Sequence, residues 1–239
     1  LPARLQYKHM PIYGYEGLPG SGKTHEGASQ VETLLSRNRK WSKKSGILRP
    51  VYSNLPFNEE WNKKWGEGLK YWRDPMQLPA LRDCDIFWDE IPVHLDSRGW
   101  ENLSLSLRAW LQQHRHFGIE IYFTAQDFFQ IDKSFRRLVD SVERCYKLIG
   151  SRNPSATKPP VKRIWGVIVR RTLERKTMLK DDGDPKYDLW PGLSFIHRKY
   201  ATAYDISYTI EQGVYPPLQH VDRTCEHFPK CDFKKTIHR

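Results

Sequence analysis

Apolar and polar positions along the first 150 residues switch repeatedly between unbroken apolar runs and a helical repeat. A short apolar stretch ends near Tyr15, just ahead of a glycine-rich segment, and predicts a strand. Ala28, Val31, Leu34 and Leu35 then recur at helical spacing and predict a helix from about Ser21 with one buried face. "ILRPVYSNLPF" predicts a strand ending near Asn54. Residues 58–79, with Trp61, Trp65 and Trp72, hold no clean period and read as an irregular or helical insertion, their Trp residues as core or interface. "DIFWDE", residues 85–90, predicts a buried strand whose last residues are two carboxylates. Leu103, Leu107, Trp110, Leu111 and His114 return to helical spacing, with Gly118 as the C-cap. "IEIYFTAQ" predicts a strand ending at Gln126, and Phe135, Leu138, Val139 and Val142 a further helix.

Strands alternating with helices predict an α/β fold, a mostly parallel sheet covered on both faces. The pattern changes at "SRNPSATKPP", residues 151–160, which is a loop. Beyond it, "RIWGVIVRRTL" and "LSFIHRKYATAYDISYTI" are strand-like with no crossover helix. The chain therefore divides into a core over residues 1–150, a β-rich extension of the same domain over 151–212, and a loosely structured tail over 213–239.

Composition narrows the class. The 239 residues carry a net charge of +11, which favours polyanionic partners such as nucleic acid or an anionic membrane surface. No run approaches 18 apolar residues, so no transmembrane segment is encoded. The chain opens on Leu without a leader, which reads as a trimmed start. Four cysteines are too few and scattered for a disulfide framework and fit a reducing cytoplasm. Cys225, His227, Cys231 and His238 cluster in the tail, but their spacing matches no standard zinc finger or ribbon, and a chance cluster is the plainer reading.

The sharpest chemistry lies in "YGYEGLPGSGKTHEG", residues 13–27. Gly17, four residues, then Gly22, Lys23 and Thr24 make a P-loop, a pattern that arises by accident in roughly one chain in a hundred of this length. Gly17, Gly20, Ser21 and Gly22 let backbone N–H groups turn inward at phosphate oxygens, and the following turn through His25 adds the positive end of a helix dipole. Lys23 is placed to reach the β- and γ-phosphates of ATP, and the Thr24 hydroxyl to bind Mg²⁺. The expected fold is a P-loop NTPase of RecA-like type.

"IFWDE" supplies the second half. Asp89 at a strand end holds the Mg²⁺ shell, and Glu90 directly after it orients and polarises an attacking water. No Asn-Lys-x-Asp base-reading loop and no evident substrate lid accompany it, which favours ATP hydrolysis over a switch GTPase or a small-molecule kinase. Gln126 falls at the next strand end, on the sheet edge where open α/β folds bind ligands, and is a candidate γ-phosphate sensor.

The order of "GLPGSGKT", "VYSNLPF", "IFWDE" and "HRHFGIEIYFTAQ", with "YATAYDISYT" at 200–209, resembles the N-terminal domain of zonular occludens toxin-like proteins, assembly ATPases of filamentous bacteriophages. The resemblance spans about residues 10–210. It implies a motor related to DNA pumps, working at the cytoplasmic face of the host inner membrane to extrude and coat single-stranded phage DNA with coat and membrane assembly proteins. Lys23, Thr24, Asp89, Glu90 and Gln126 become its Walker A, Walker B and sensor residues. Those proteins usually continue into a transmembrane helix and periplasmic part, so this chain reads either as a cytoplasmic domain or as a relative without its own anchor. Nothing here supports a toxin role.

Such motors work as rings in which a basic side chain completes the neighbour's site. Arg136 and Arg137 are the first candidates, ahead of Arg98, Arg108 and Arg115. "RNRKWSKK", residues 37–44, packs five cations around Trp41, a mix suited to phosphates and a stacked base, or equally to a solvated helix end. Two other readings stay open: a different viral or plasmid packaging or helicase-like motor, and an ATP-dependent assembly scaffold with little turnover.

Overall fold

A computed structural model describes residues 10–95, 103–150, 166–178, 185–188 and 191–204. Arg98, the 151–160 loop, the ends of both predicted C-terminal strand segments and the Cys225/His227/Cys231/His238 cluster lie outside the described residues.

Strand β1 (Ile12–Glu16) runs directly into the P-loop and then into α1 (Lys23–Ser45). Ala28, Val31, Leu34 and Leu35 form the buried stripe of that helix, as their spacing predicts. Gly46, at φ 74°, ends it by donating its N–H to the Ser42 carbonyl, behind Lys43 and Lys44 in the last turn. There follow β2 (Val51–Ser53), α2 (Glu59–Trp65), β3 (Leu69–Tyr71), β4 (Asp85–Trp88), α3 (Leu105–Gln112), β5 (Glu120–Ala125), α4 (Lys133–Arg136) and β6 (Ser141–Gly150). The chain closes with β7 (Gly166–Thr172), α5 (Arg175–Met178), β8 (Gly192–Phe195) and α6 (Arg198–Ala201).

These strands form one eight-stranded sheet in the order β3-β2-β4-β5-β1-β6-β7-β8. The first six are parallel, with Ile12 opposite Ile121 and Phe87 opposite Tyr122. β7 and β8 join the same sheet antiparallel to their neighbours. The fold is thus a P-loop α/β fold, with β5 inserted between the P-loop strand and the strand that ends in the carboxylates.

Strand alternation splits the core into two layers. Ile12, Ile86, Trp88, Ile121 and Phe123 face Trp110, Leu111, Phe128 and Phe135 on one side. Val51, Phe87 and Tyr122 face the α1 stripe and Trp61 on the other. Trp72 is buried edge-on against Trp88, ring centroids 5.0 Å apart, so it is core material. At the rear of α1, buried Asp85 accepts hydrogen bonds from Arg37 (3.0 Å) and Asn38 (2.7 Å) and is paired with buried Arg49. That network fixes the helix against the start of β4.

Four expectations need correction. The 58–79 segment contains β3, a three-residue edge strand paired with β2, which such a short run cannot signal. The helix expected through Val142 ends at Arg136: Asp140 exchanges two 2.9 Å hydrogen bonds with Ile12, its N–H to the carbonyl and its carboxylate from the N–H, so the chain enters the sheet and Val142 is a strand residue. Gly118 does not cap the helix over 105–112; it closes the following turn at φ 69°. Residues 198–201, expected in a strand, form α6, lying on α1 through the Tyr200 ring.

Candidate nucleotide site

The C-terminal ends of β1, β2, β4 and β5 meet at one edge of the sheet, where ligand-binding crevices form in open α/β folds. The loop after β1 is anchored there by Gly17 donating to the Ala125 carbonyl (3.1 Å) and Ser21 donating to the Leu18 carbonyl (3.0 Å). Gly17 and Gly22 are obligatory. A Cβ on Gly17 would lie 2.8 Å from the Cys145 carbonyl oxygen, and one on Gly22, at φ 99°, 2.4 Å from the Ile168 side chain. No side chain caps the N-terminus of α1, and the buried Ser21 hydroxyl has no hydrogen-bond partner. Uncapped N–H groups, a hydroxyl without a partner and a glycine cradle are the donor set a polyphosphate takes.

Lys23, in the first turn of α1, is buried, and its Nζ lies 2.7 Å from Glu90 Oε1. Glu90 follows β4 at φ 49°, ψ 54°, a left-handed conformation that costs a non-glycine residue about 1–2 kcal/mol. Asp89, beside it, is almost fully buried; burial first, and the neighbouring Glu90 charge second, push its pKa up to about 6. Thr24, partly exposed one residue after Lys23, presents a hydroxyl on the same turn. A buried carboxylate at a strand end and a hydroxyl in the first turn of the P-loop helix are oxygen ligands of the kind Mg²⁺ takes.

Two residues escaped the sequence reading. Asn54, just past β2, accepts the Asp89 N–H on its Oδ1 (2.6 Å) and donates its Nδ2 to the Asp89 carbonyl (2.9 Å). Thr124, in β5, donates its hydroxyl to Asp89 Oδ1 (2.6 Å) and accepts the Glu90 N–H (2.8 Å). For Thr124 the signal available was a polar residue within a largely apolar, buried strand; Asn54, past the end of β2, carried none.

The other candidates separate. Gln126 is exposed immediately after β5, at the same sheet edge. His25 turns onto the C-terminal segment: its Nε2 accepts the His197 N–H (3.0 Å) and its ring meets Tyr200 edge-on, so it packs the helix in place. Arg136 is buried, donating to the carbonyls of Ile131 (3.1 Å) and Met178 (3.4 Å), whereas Arg137 is exposed. Arg115 pairs with Asp140 at 3.1 Å. Of the 37–44 cluster, Arg37 is committed to Asp85 and Glu120, while Lys40, Lys43 and Lys44 are exposed. Among the described residues no group of acidic, His or Cys side chains forms a separate metal site.

The C-terminal strands complete the surroundings of the loop. Ser194 donates to Glu26 (2.5 Å), Arg170 lies 3.7 Å from the same carboxylate, and Ile168 sits against Gly22. β7 and β8 are therefore walls of the P-loop helix.

The sequence model of the zonular occludens toxin (Zot) family matches residues 12–171, from the first residue of β1 into β7. The chain belongs to the Zot family. Among solved structures, this Zot-family chain is similar to the N-terminal domain of zonular occludens toxin from Neisseria meningitidis, at 17% identity over 82% of this chain and 98% of that one, with a TM-score of 0.48. It is also similar to the genome packaging NTPase B204 of Sulfolobus turreted icosahedral virus 2 in complex with ATP-gammaS, at 11% identity over 60% and 77% of the two chains, TM-score 0.37. No curated protein matches it.

Proposed function

We propose that this Zot-family protein is a Mg²⁺-dependent ATPase that couples hydrolysis to the assembly and extrusion of a filamentous phage and its single-stranded DNA. The observation that carries the reading is the 2.7 Å contact between Lys23 and Glu90, which brings the phosphate-binding loop and a candidate general base to one point beside Asp89.

In the proposed reaction the N–H groups of the loop and Ser21 bind the polyphosphate, and Lys23 exchanges Glu90 for the β- and γ-phosphates. Thr24 and Asp89 hold Mg²⁺, which supplies neutralisation of phosphate charge. Glu90, released from Lys23, accepts a proton from the attacking water, a contribution of about 10² to 10⁴ in rate. Gln126 meets the γ-phosphate side of the site. The exposed cations Lys40 and Lys44, lining a groove on α1 with Trp41, and the neighbouring exposed Lys43 are the proposed contact for phosphates and bases of single-stranded DNA. Assembly as a ring, with coat and membrane partners at the inner-membrane face, is part of the same proposal. No described helix is long and apolar enough to cross a membrane.

The test is steady-state ATP hydrolysis with and without single-stranded DNA, comparing the parent chain with Lys23→Ala and Glu90→Gln. Turnover that DNA stimulates and both substitutions abolish is the expected result. Nucleotide binding without hydrolysis, at protein concentrations that favour oligomers, would instead make the protein an ATP-dependent scaffold.

A further inference from the structure

The turn that carries Asp89 and Glu90 is held from both sides by strands that flank β4. On the β2 side, the Asn54 carboxamide closes a two-hydrogen-bond ring with the Asp89 peptide, at 2.6 and 2.9 Å, and continues the sheet ladder one residue past the end of the strand. On the β5 side, one hydroxyl on Thr124 spends its proton on the Asp89 carboxylate and a lone pair on the Glu90 N–H, at 2.6 and 2.8 Å. Asn54 is 3% exposed and Thr124 fully buried, so neither bond is exchanged for water. Between these clamps Glu90 sits in its left-handed conformation with its carboxylate on Lys23. A non-glycine residue keeps such a conformation only where its surroundings over-determine it.

We propose that Asn54 and Thr124 are positioning residues: they set the Asp89–Glu90 turn so that the Glu90 carboxylate faces the P-loop ammonium and, once nucleotide occupies the loop, the attacking water. The chemical part of this inference rests on the ATPase reading above; the placement of Glu90 against Lys23 does not. Neither residue touches the phosphate donors of the loop through any of these bonds, so losing them perturbs the aim of Glu90 more than nucleotide capture.

The experiment uses the full chain and the variants Asn54→Ala, Thr124→Val and Thr124→Ser, with Glu90→Gln as reference. The first readout is the acylation rate of Lys23 in the nucleotide-free protein, followed by peptide mass spectrometry after brief exposure to a water-soluble acylating reagent. Loss of a clamp frees the ammonium, so labelling rises severalfold in Thr124→Val and Asn54→Ala towards the Glu90→Gln rate. Thr124→Ser, which restores the hydroxyl, recovers the slow parent rate. The second readout is turnover: kcat falls tenfold or more in Thr124→Val while KM and the Kd for ATP-gammaS rise by no more than about threefold, and Thr124→Ser recovers most of kcat.

Thr124→Val has the volume of the native residue and keeps the test open where Asn54→Ala does not fold. Parent-like Lys23 labelling in folded Thr124→Val overturns the proposal, as does a loss of nucleotide affinity that matches the loss of kcat. A parent chain without turnover would overturn the ATPase reading alone, and the labelling result would still decide the clamp.

Discussion

The ammonium of Lys23 and the carboxylate of Glu90 lie 2.7 Å apart in a site where the lysine is buried. Each group thus neutralises the other before any phosphate arrives, and a nucleotide has to compete with Glu90 for Lys23. Replacing Glu90 by Gln removes the competing charge and the proposed base together. Glu90→Gln is therefore expected to bind ATP-gammaS severalfold tighter than the parent at low ionic strength while turnover falls by about 10² or more. Equilibrium calorimetry beside a turnover assay checks both halves. Affinity equal to the parent's would mean that the carboxylate is no competitor.

Gly22 links the loop to β7. Alanine there meets two separate penalties: about 1 kcal/mol or more for a side chain at positive φ, and contact with Ile168 at 2.4 Å. Gly22→Ala is expected to lower the melting temperature and abolish ATP-gammaS binding. Adding Ile168→Ala removes the contact but not the backbone strain, so the double variant melts above what additivity of the two single losses predicts. Strict additivity in thermal denaturation would show that the methyl finds room elsewhere.

Much of this site was legible because its chemistry is contiguous. The P-loop and "DIFWDE" announce their proposed roles through local spacing, and the apolar stripe of α1 follows from four residues. What was not legible depends on partners distant in the chain. Asn54 and Thr124 are ordinary polar residues until β2, β4 and β5 lie side by side. The short β3 exists because Val51 pairs with Leu69, not because "LKY" insists on a strand. Val142 misled because a short apolar run fits a helix and a strand alike, and two hydrogen bonds between Asp140 and Ile12 settle the matter. Arg136 and Arg137 are neighbours of one type that the fold sends to opposite environments.

Asp89 gives the protein a definite response to pH. Its pKa is raised by burial to about 6 from the ordinary value of 3.8, so the folded state holds a proton that the unfolded state has released between those values. Folded protein binding the extra proton means that this residue's contribution to stability is complete below about pH 4 and lost as pH rises through 6. In metal-free protein, Asp89→Asn is expected to flatten that part of the stability profile. Melting temperatures of parent and variant at pH 4 to 7 measure it. Mg²⁺ with ATP-gammaS would favour the ionised carboxylate and shift the parent profile the other way. Parallel profiles for parent and variant would refute the assignment to Asp89.

The adjacent arginines make the last prediction a contrast within one turn. Arg136 is 4% exposed and donates to two backbone carbonyls, with its guanidinium 5.4 Å from the Phe129 ring centre. Arg136→Leu leaves those carbonyls without their donors and is expected to cost about 2–4 kcal/mol in urea denaturation. Arg137 is exposed, and Arg137→Ala is expected to change stability by no more than about 0.5 kcal/mol. If Arg137 completes a neighbour's site, Arg137→Ala lowers turnover at parent stability. Mixing it with Glu90→Gln then restores part of that turnover, because some sites receive Glu90 from one subunit and Arg137 from the next. Full turnover by Arg137→Ala would remove it from the chemistry. A lowered turnover that mixing does not rescue would place its action within its own subunit.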